Sequence, residues 1–129
     1  MSEDELLAEL EGMGLNVEWR PLQGLERGQY FHRDRLVVIR RGLTMPQRRC
    51  TLAHELVHAQ RMDDGPQSER VERRVDQAAS KLLISPAEYR LAETMYGPCI
   101  PKLAVELGVT QGLVRAYQGT LSYSTWALA

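Results

Sequence analysis

Apolar positions along this chain repeat with two different periods. Leu6, Leu7, Leu10 and Met13 fall at helical spacing behind Ser2-Glu3-Asp4-Glu5, a capping box, and Gly14 closes this first helix. Leu15, Val17 and Trp19 then alternate with polar residues as far as Pro21, the pattern of a strand. Gln29–His32 and Leu36–Ile39 read as two further strands joined through Arg33-Asp34. From Thr44 the helical period returns. Thr44 with Gln47 forms a second capping box, and the helix runs to about Arg61, where Asp63-Asp64-Gly65-Pro66 breaks it. A third helix spans roughly Ser68 to Leu83, with Val71, Val75, Ala78, Ala79, Leu82 and Leu83 as its buried stripe. Ser85-Pro86-Ala87-Glu88 caps a fourth helix, which Gly97-Pro98 ends. Two short helices follow, split at Gly108, with Thr110 as the second N-cap. The pattern predicts an α+β fold, with helices packed over a small, mostly antiparallel sheet.

The length of 129 residues suits one domain, 1–129, and a 43% apolar and 26% charged composition is ordinary for a globular chain. The net charge of -1 conceals an uneven layout. Glu3, Asp4, Glu5, Glu9, Glu11 and Glu18 precede the first base, whereas residues 20–49 hold eight arginines against Glu26 and Asp34. Such a stretch either steers an acidic partner or forms a solvated face, the commoner outcome. No apolar run reaches the ~20 residues of a membrane helix. The acidic start does not resemble a signal peptide. Cys50 and Cys99 make no disulfide framework, and Cys50 falls within a helical apolar pattern as a buried free thiol. These features read as a cytoplasmic, reduced protein that does not enter a membrane.

The chemistry concentrates in the helix after Thr44. His54, Glu55 and His58 form H-E-x-x-H, and two residues four apart lie roughly 40° apart on a helix. Both imidazoles can then reach one Zn2+ while Glu55 stands beside them as general base. The bland alternative is a chance spacing on a helix surface. Against it, two of only three histidines frame one glutamate on a well-capped helix. A catalytic zinc takes three protein ligands and keeps an open position. With no cysteine pairing, the third ligand is expected to be a carboxylate. Glu72, on a helix that can fold back antiparallel, is the first candidate, and Glu69, one turn away, is its rival. Asp76, one turn beyond Glu72, is placed to accept a ligand histidine's free N–H. All three acids could instead pair with Arg70, Arg73 and Arg74 on a solvated face.

These residues resemble a known family. Arg48–Ala59 is similar to the active helix of ImmA/IrrE-type metallopeptidases, and Glu72–Leu83 to that family's second motif, in which a glutamate ligand precedes Asp or Asn by four residues. Gly28–Leu43 resembles the strand pair leading into the active helix. The likeness is close from Gly24 to Pro86 and loose beyond. Val57 stands where the family has a small residue, Ala78 where it has an aromatic, and the proline after Leu82-Leu83 arrives one residue late. The resemblance implies a zincin-like helix pair carrying a zinc endopeptidase. It also implies a protein substrate, a helix-turn-helix repressor of a phage or mobile element, cut to release gene expression. Two rival functions are a zinc-holding regulator that sequesters a repressor without cutting it and a DNA-binding regulator. Pure metal holding does not require Glu55.

Other features invite functional readings. Leu103–Tyr117 has the outline of a helix-turn-helix, but Gln111, Arg115 and Gln118 are a thin set for phosphates and bases, which argues for packing over direct DNA binding. His32, beside Tyr30 and Phe31, is a candidate for oxyanion or substrate contact, and Tyr89 for lining the cleft. The strands before Thr44 offer an edge for an extended substrate, with Arg33, Arg35, Arg40 and Arg41 favouring acidic residues around the cut. Trp19, Trp126 and the methionines read as core or surface filler.

Overall fold

Side-chain caps account for most helix starts in the computed structural model, which describes residues 1–121; Trp126 lies outside them. Ser2, Ser68, Ser85 and Thr110 each accept a hydrogen bond from the backbone N–H three residues on, opening α1 (Glu3–Gly12), α3 (Glu69–Leu83), α4 (Pro86–Tyr96) and α6 (Gln111–Thr120). Thr44 and Gln47 form the full reciprocal box at the start of α2 (Met45–Arg61). Between α4 and α6 lies α5 (Ile100–Leu107), ended by Gly108 at φ 68°, the left-handed cap that glycine adopts without strain.

The sheet holds β1 (Asn16–Arg20), β2 (Gly28–Phe31) and β3 (Leu36–Arg40) in the order β1-β3-β2. β2 and β3 pair antiparallel around a turn at residues 32–35, whereas β1 pairs parallel with β3, Val17 opposite Val37. The α+β fold class stands, with the sheet mixed: one pairing antiparallel and one parallel. The hairpin occupies one side of β3, so β1 lies along its other side with Val17 and Trp19 half-buried. As the central strand, β3 buries Val37, Val38 and Ile39 in succession. β2 is left as an open edge, packed against α2.

One cluster of apolar side chains joins α1, the sheet and the helices, with Leu6, Leu10, Ile39, Leu52, Leu56 and Leu103 each at most 1% exposed. α3 contributes Val75, Ala79 and Leu83, while Val71 and Leu82 are half-buried. Ala78, expected in that stripe, is exposed. Helix α6 buries Leu113, Val114 and Tyr117 and packs on α3. Tyr89 does not line the cleft. It is buried against Tyr117, ring centroids 4.9 Å apart, and its hydroxyl accepts a hydrogen bond from Gln118 at 3.1 Å. One amide of the helix-turn-helix outline is thereby used inside the fold.

The arginine-rich stretch is largely structural. Arg40 donates to the backbone oxygens of Gly24 and Glu26, Arg41 to that of Trp19, and Arg35 to that of Met13. Arg48 pairs with Glu3 at 2.6 Å. Arg49 reaches four backbone oxygens, those of Met1, Leu83, Leu107 and Gly108, at 2.9–3.2 Å. It thus satisfies carbonyls left open at the ends of α3 and α5. Among the described residues no helix is long and apolar enough to cross a membrane.

Candidate metal centre

Helical spacing does the first part of the assembly. His54 and His58 lie one turn apart on α2, their Nε2 atoms 3.1 Å from each other. The break after Arg61 returns the chain antiparallel, and Glu72, in the first turn of α3, brings one carboxylate oxygen to 3.1 Å from His54 Nε2 and the other to 3.1 Å from His58 Nε2. This trio is the group suited to a cation found among the described residues. Glu69 stands exposed, one turn toward the start of α3, outside the trio.

The other ring nitrogens are also engaged. His54 Nδ1 lies 2.8 Å from Asp76 Oδ1, and His58 Nδ1 lies 2.8 Å from Asp63 Oδ2. A carboxylate accepts, so each Nδ1 donates its hydrogen, and each ring turns Nε2 toward Glu72. With both Nε2 atoms unprotonated the three groups would all be acceptors, which a shared cation would hold together. The fit is geometric as well. Ligands ~2.05 Å from a tetrahedral zinc stand roughly 3.3 Å apart, close to the separations in this trio. Nitrogen–nitrogen–oxygen sets suit zinc over magnesium or calcium, which take oxygen ligands.

The sequence points to Asp76 but not to Asp63, where the Asp63-Asp64 pair reads only as a helix breaker. Met62 takes the left-handed conformation (φ 58°), and the Asp63 N–H folds back to His58 O at 3.1 Å. That turn delivers the Asp63 carboxylate to the ring of His58, where Arg61 also holds it at 2.9 Å. Burial opposes ionisation of Asp63, but the bonds from His58 and Arg61 outweigh it and keep its pKa below the usual range. The detectable signal was an acid five residues after the second histidine, just past the helix end.

Glu55 is 5% exposed, and burial pushes its pKa up to about 7, against the pull of His54 and His58. For His54, burial favours the neutral ring, but the Asp76 bond and the charges of Glu55, Asp76 and Glu72 raise its pKa overall. The sheet comes unusually close to Glu55. A Cβ on Gly28 would lie 2.6 Å from Thr51 Cγ2 and 3.3 Å from Glu55 Cγ, so glycine is what allows β2 this approach. A glycine opening a strand pattern was the available signal for that contact.

A cleft of ≈ 570 Å³ opens over the trio, bounded by β2, the turn after it and the 63–67 loop. His32 lines it, its Nδ1 2.7 Å from the Tyr30 hydroxyl. Of the four arginines flanking the strands, Arg33 alone lines this cleft, 3.6 Å from Asp64. A second cavity of ≈ 420 Å³ adjoins it and shares Gly28, His54 and Glu55. Cys50, a buried free thiol as expected, lies in its lining with its pKa raised by burial.

A small α+β frame with two helices presenting imidazoles and a carboxylate to one point is the architecture of a metallopeptidase. Residues 11–116 match the profile of the IrrE N-terminal-like domain, peptidase family M78, and the chain belongs to that family. Membership makes it a peptidase, a hydrolase acting on protein substrates. No curated protein matches the chain significantly.

Proposed function

We propose that this chain is a zinc endopeptidase in which His54, His58 and Glu72 hold the ion and Glu55 is the general base. The observation that carries the reading is the convergence of His54 Nε2, His58 Nε2 and the Glu72 carboxylate within hydrogen-bonding range of one another, with a buried glutamate next in sequence to one of them. When bound, the ion would supply a Lewis acid that lets water ionise near neutral pH. Asp76 and Asp63 fix the tautomers of the two rings and keep Nε2 free. The carboxylate of Glu55 takes a proton from the attacking water and returns one to the departing amine nitrogen. The C–N bond breaks, the water oxygen stays on the acyl carbon, and one acid and one amine leave. His32, hydrogen-bonded through Nδ1 to the Tyr30 hydroxyl, lines the cleft as the candidate donor to the oxyanion.

An extended substrate pairs with the open edge of β2, which runs along the cleft. The proposed substrate is a helix-turn-helix repressor cut at one or few exposed sites in the cytoplasm, a reading supported by the family resemblance. Glu55 separates cleavage from mere sequestration, because zinc holding alone requires no buried base. The test is incubation of wild type and Glu55→Gln with a candidate repressor from the same genome, with fragments mapped by mass spectrometry. Cleavage by wild type alone is expected. Binding without cleavage by wild type, zinc present or absent, overturns the endopeptidase reading in favour of sequestration, and efficient unselective digestion of casein overturns the dedicated substrate.

A further inference from the structure

The ≈ 570 Å³ cleft runs the length of β2, whereas the ≈ 420 Å³ cavity meets the strand only at its Gly28 end. The first reaches Gly28 without touching Tyr30, Phe31 or His32, and the second takes in all three. Because both share His54 and Glu55, the reacting bond sits at their junction. The Arg40 N–H donates to Arg27 O across the β2–β3 pair. Hydrogen-bonded and non-bonded pairs alternate along an antiparallel ladder, so Gly28 and Tyr30 turn their N–H and C=O groups away from β3, to the open edge. A peptide pairing antiparallel there, the more stable arrangement, runs opposite to β2. Its N-terminal part lies beside Tyr30–His32, and its C-terminal part passes Gly28 into the smaller cavity.

We infer that this smaller cavity receives the side chain of the residue immediately after the scissile bond and selects a long apolar one such as Leu, Met or Phe. The inference rests on the peptide-hydrolysis reading above. Cys50, Ala79 and Leu113 line the cavity, each no more than 9% exposed and none charged. Leu25 lines it too and is 98% exposed, a bare leucine that core packing does not use and that a substrate side chain would cover. Arg27, Glu55 and Asp76 also line the cavity, and Asp76 is tied to His54 at 2.8 Å.

Gly112 supplies the test. It lines the cavity in the first turn of α6, and a Cβ there meets only Thr110 Oγ1, at 4.0 Å, so a side chain can start there without a close contact. A proteome-derived peptide library is digested by zinc-loaded wild type and Gly112→Phe, and every cut is mapped by mass spectrometry. Leu, Met and Phe are expected after the cut at least ~10-fold over Asp and Gly, the ratio that burying such a side chain supplies. Gly112→Phe moves the preference to Ala and Ser. In a parallel arm, Glu55→Gln is titrated with product-like peptides that begin with Leu or with Asp. Tighter binding of the Leu peptide, lost on adding Gly112→Phe, is expected. Selection at the residue before the cut, or a preference unmoved by Gly112→Phe, overturns the inference. If no peptide is cut at all, the hydrolysis reading falls, and the titration alone decides the pocket: equal binding of the two peptides overturns it.

Discussion

The helix pair that carries the site and the helices that follow it are filled differently. Between α2 and α3 the fold buries Glu55 and His58 and spends Asp63 and Asp76 on holding imidazoles. The α4–α6 region buries Leu103, Val114, Tyr89 and Tyr117, with the Tyr89–Gln118 bond as a polar contact among them. Burying ionisable groups costs stability that apolar packing does not. The first region is therefore built for chemistry at some expense, and the second repays it. Each half should fail in its own way.

The largest effects belong to the site. Glu72→Ala should abolish the binding of about one zinc per chain, read by elemental analysis. Glu55→Gln should keep the zinc yet lose roughly 10²–10⁴-fold in cleavage rate, with no fall in Tm because a buried charge has gone. A Glu69→Ala variant that strips the metal while Glu72→Ala retains it would break the assignment. Next comes the packing half. Leu103, fully buried, should cost about 2–5 kcal/mol on change to Ala in denaturant titration, with zinc stoichiometry of the folded protein unchanged. A smaller effect sharpens the contrast within the site itself. Asp63→Ala and Asp76→Ala should each weaken zinc binding by ~10–100-fold in competition with a chelator, the usual effect of losing an imidazole's partner. If only Asp76→Ala does so, the Asp63 contact serves the helix end and not the ring. The smallest change is Tyr89→Phe, which should cost about 1 kcal/mol of stability and leave cleavage untouched.

How much of this was legible in the sequence follows sequence distance. His54, Glu55 and His58 could be read because one helical turn decides their neighbourhood. The placement of Glu72 and Asp76 beside the histidines could be read because a clear helix break and a second periodic segment constrain how the next turn faces the first. Asp63 escaped because its role depends on a left-handed turn at Met62, a conformation that methionine seldom adopts and that no local pattern announces. The parallel partner of β1 escaped for a related reason. Alternation says which face of a strand is buried and nothing about which neighbour it joins. The demand on Gly28 arises from Thr51, far along the chain, and alternation within β2 carries no trace of it.

The reach of Arg49 bears on how the molecule opens. One guanidinium on α2 gathers backbone oxygens at Met1, at the end of α3 and at the end of α5. Helix ends ordinarily fray first, each on its own. Here three distant ends share a single planar fork, so releasing one loosens the others, and amide exchange at the C-terminal turns of α3 and α5 should proceed as one cooperative event. Lysine in its place keeps the charge but lacks the planar fork of donors. It should uncouple those turns and let them exchange separately.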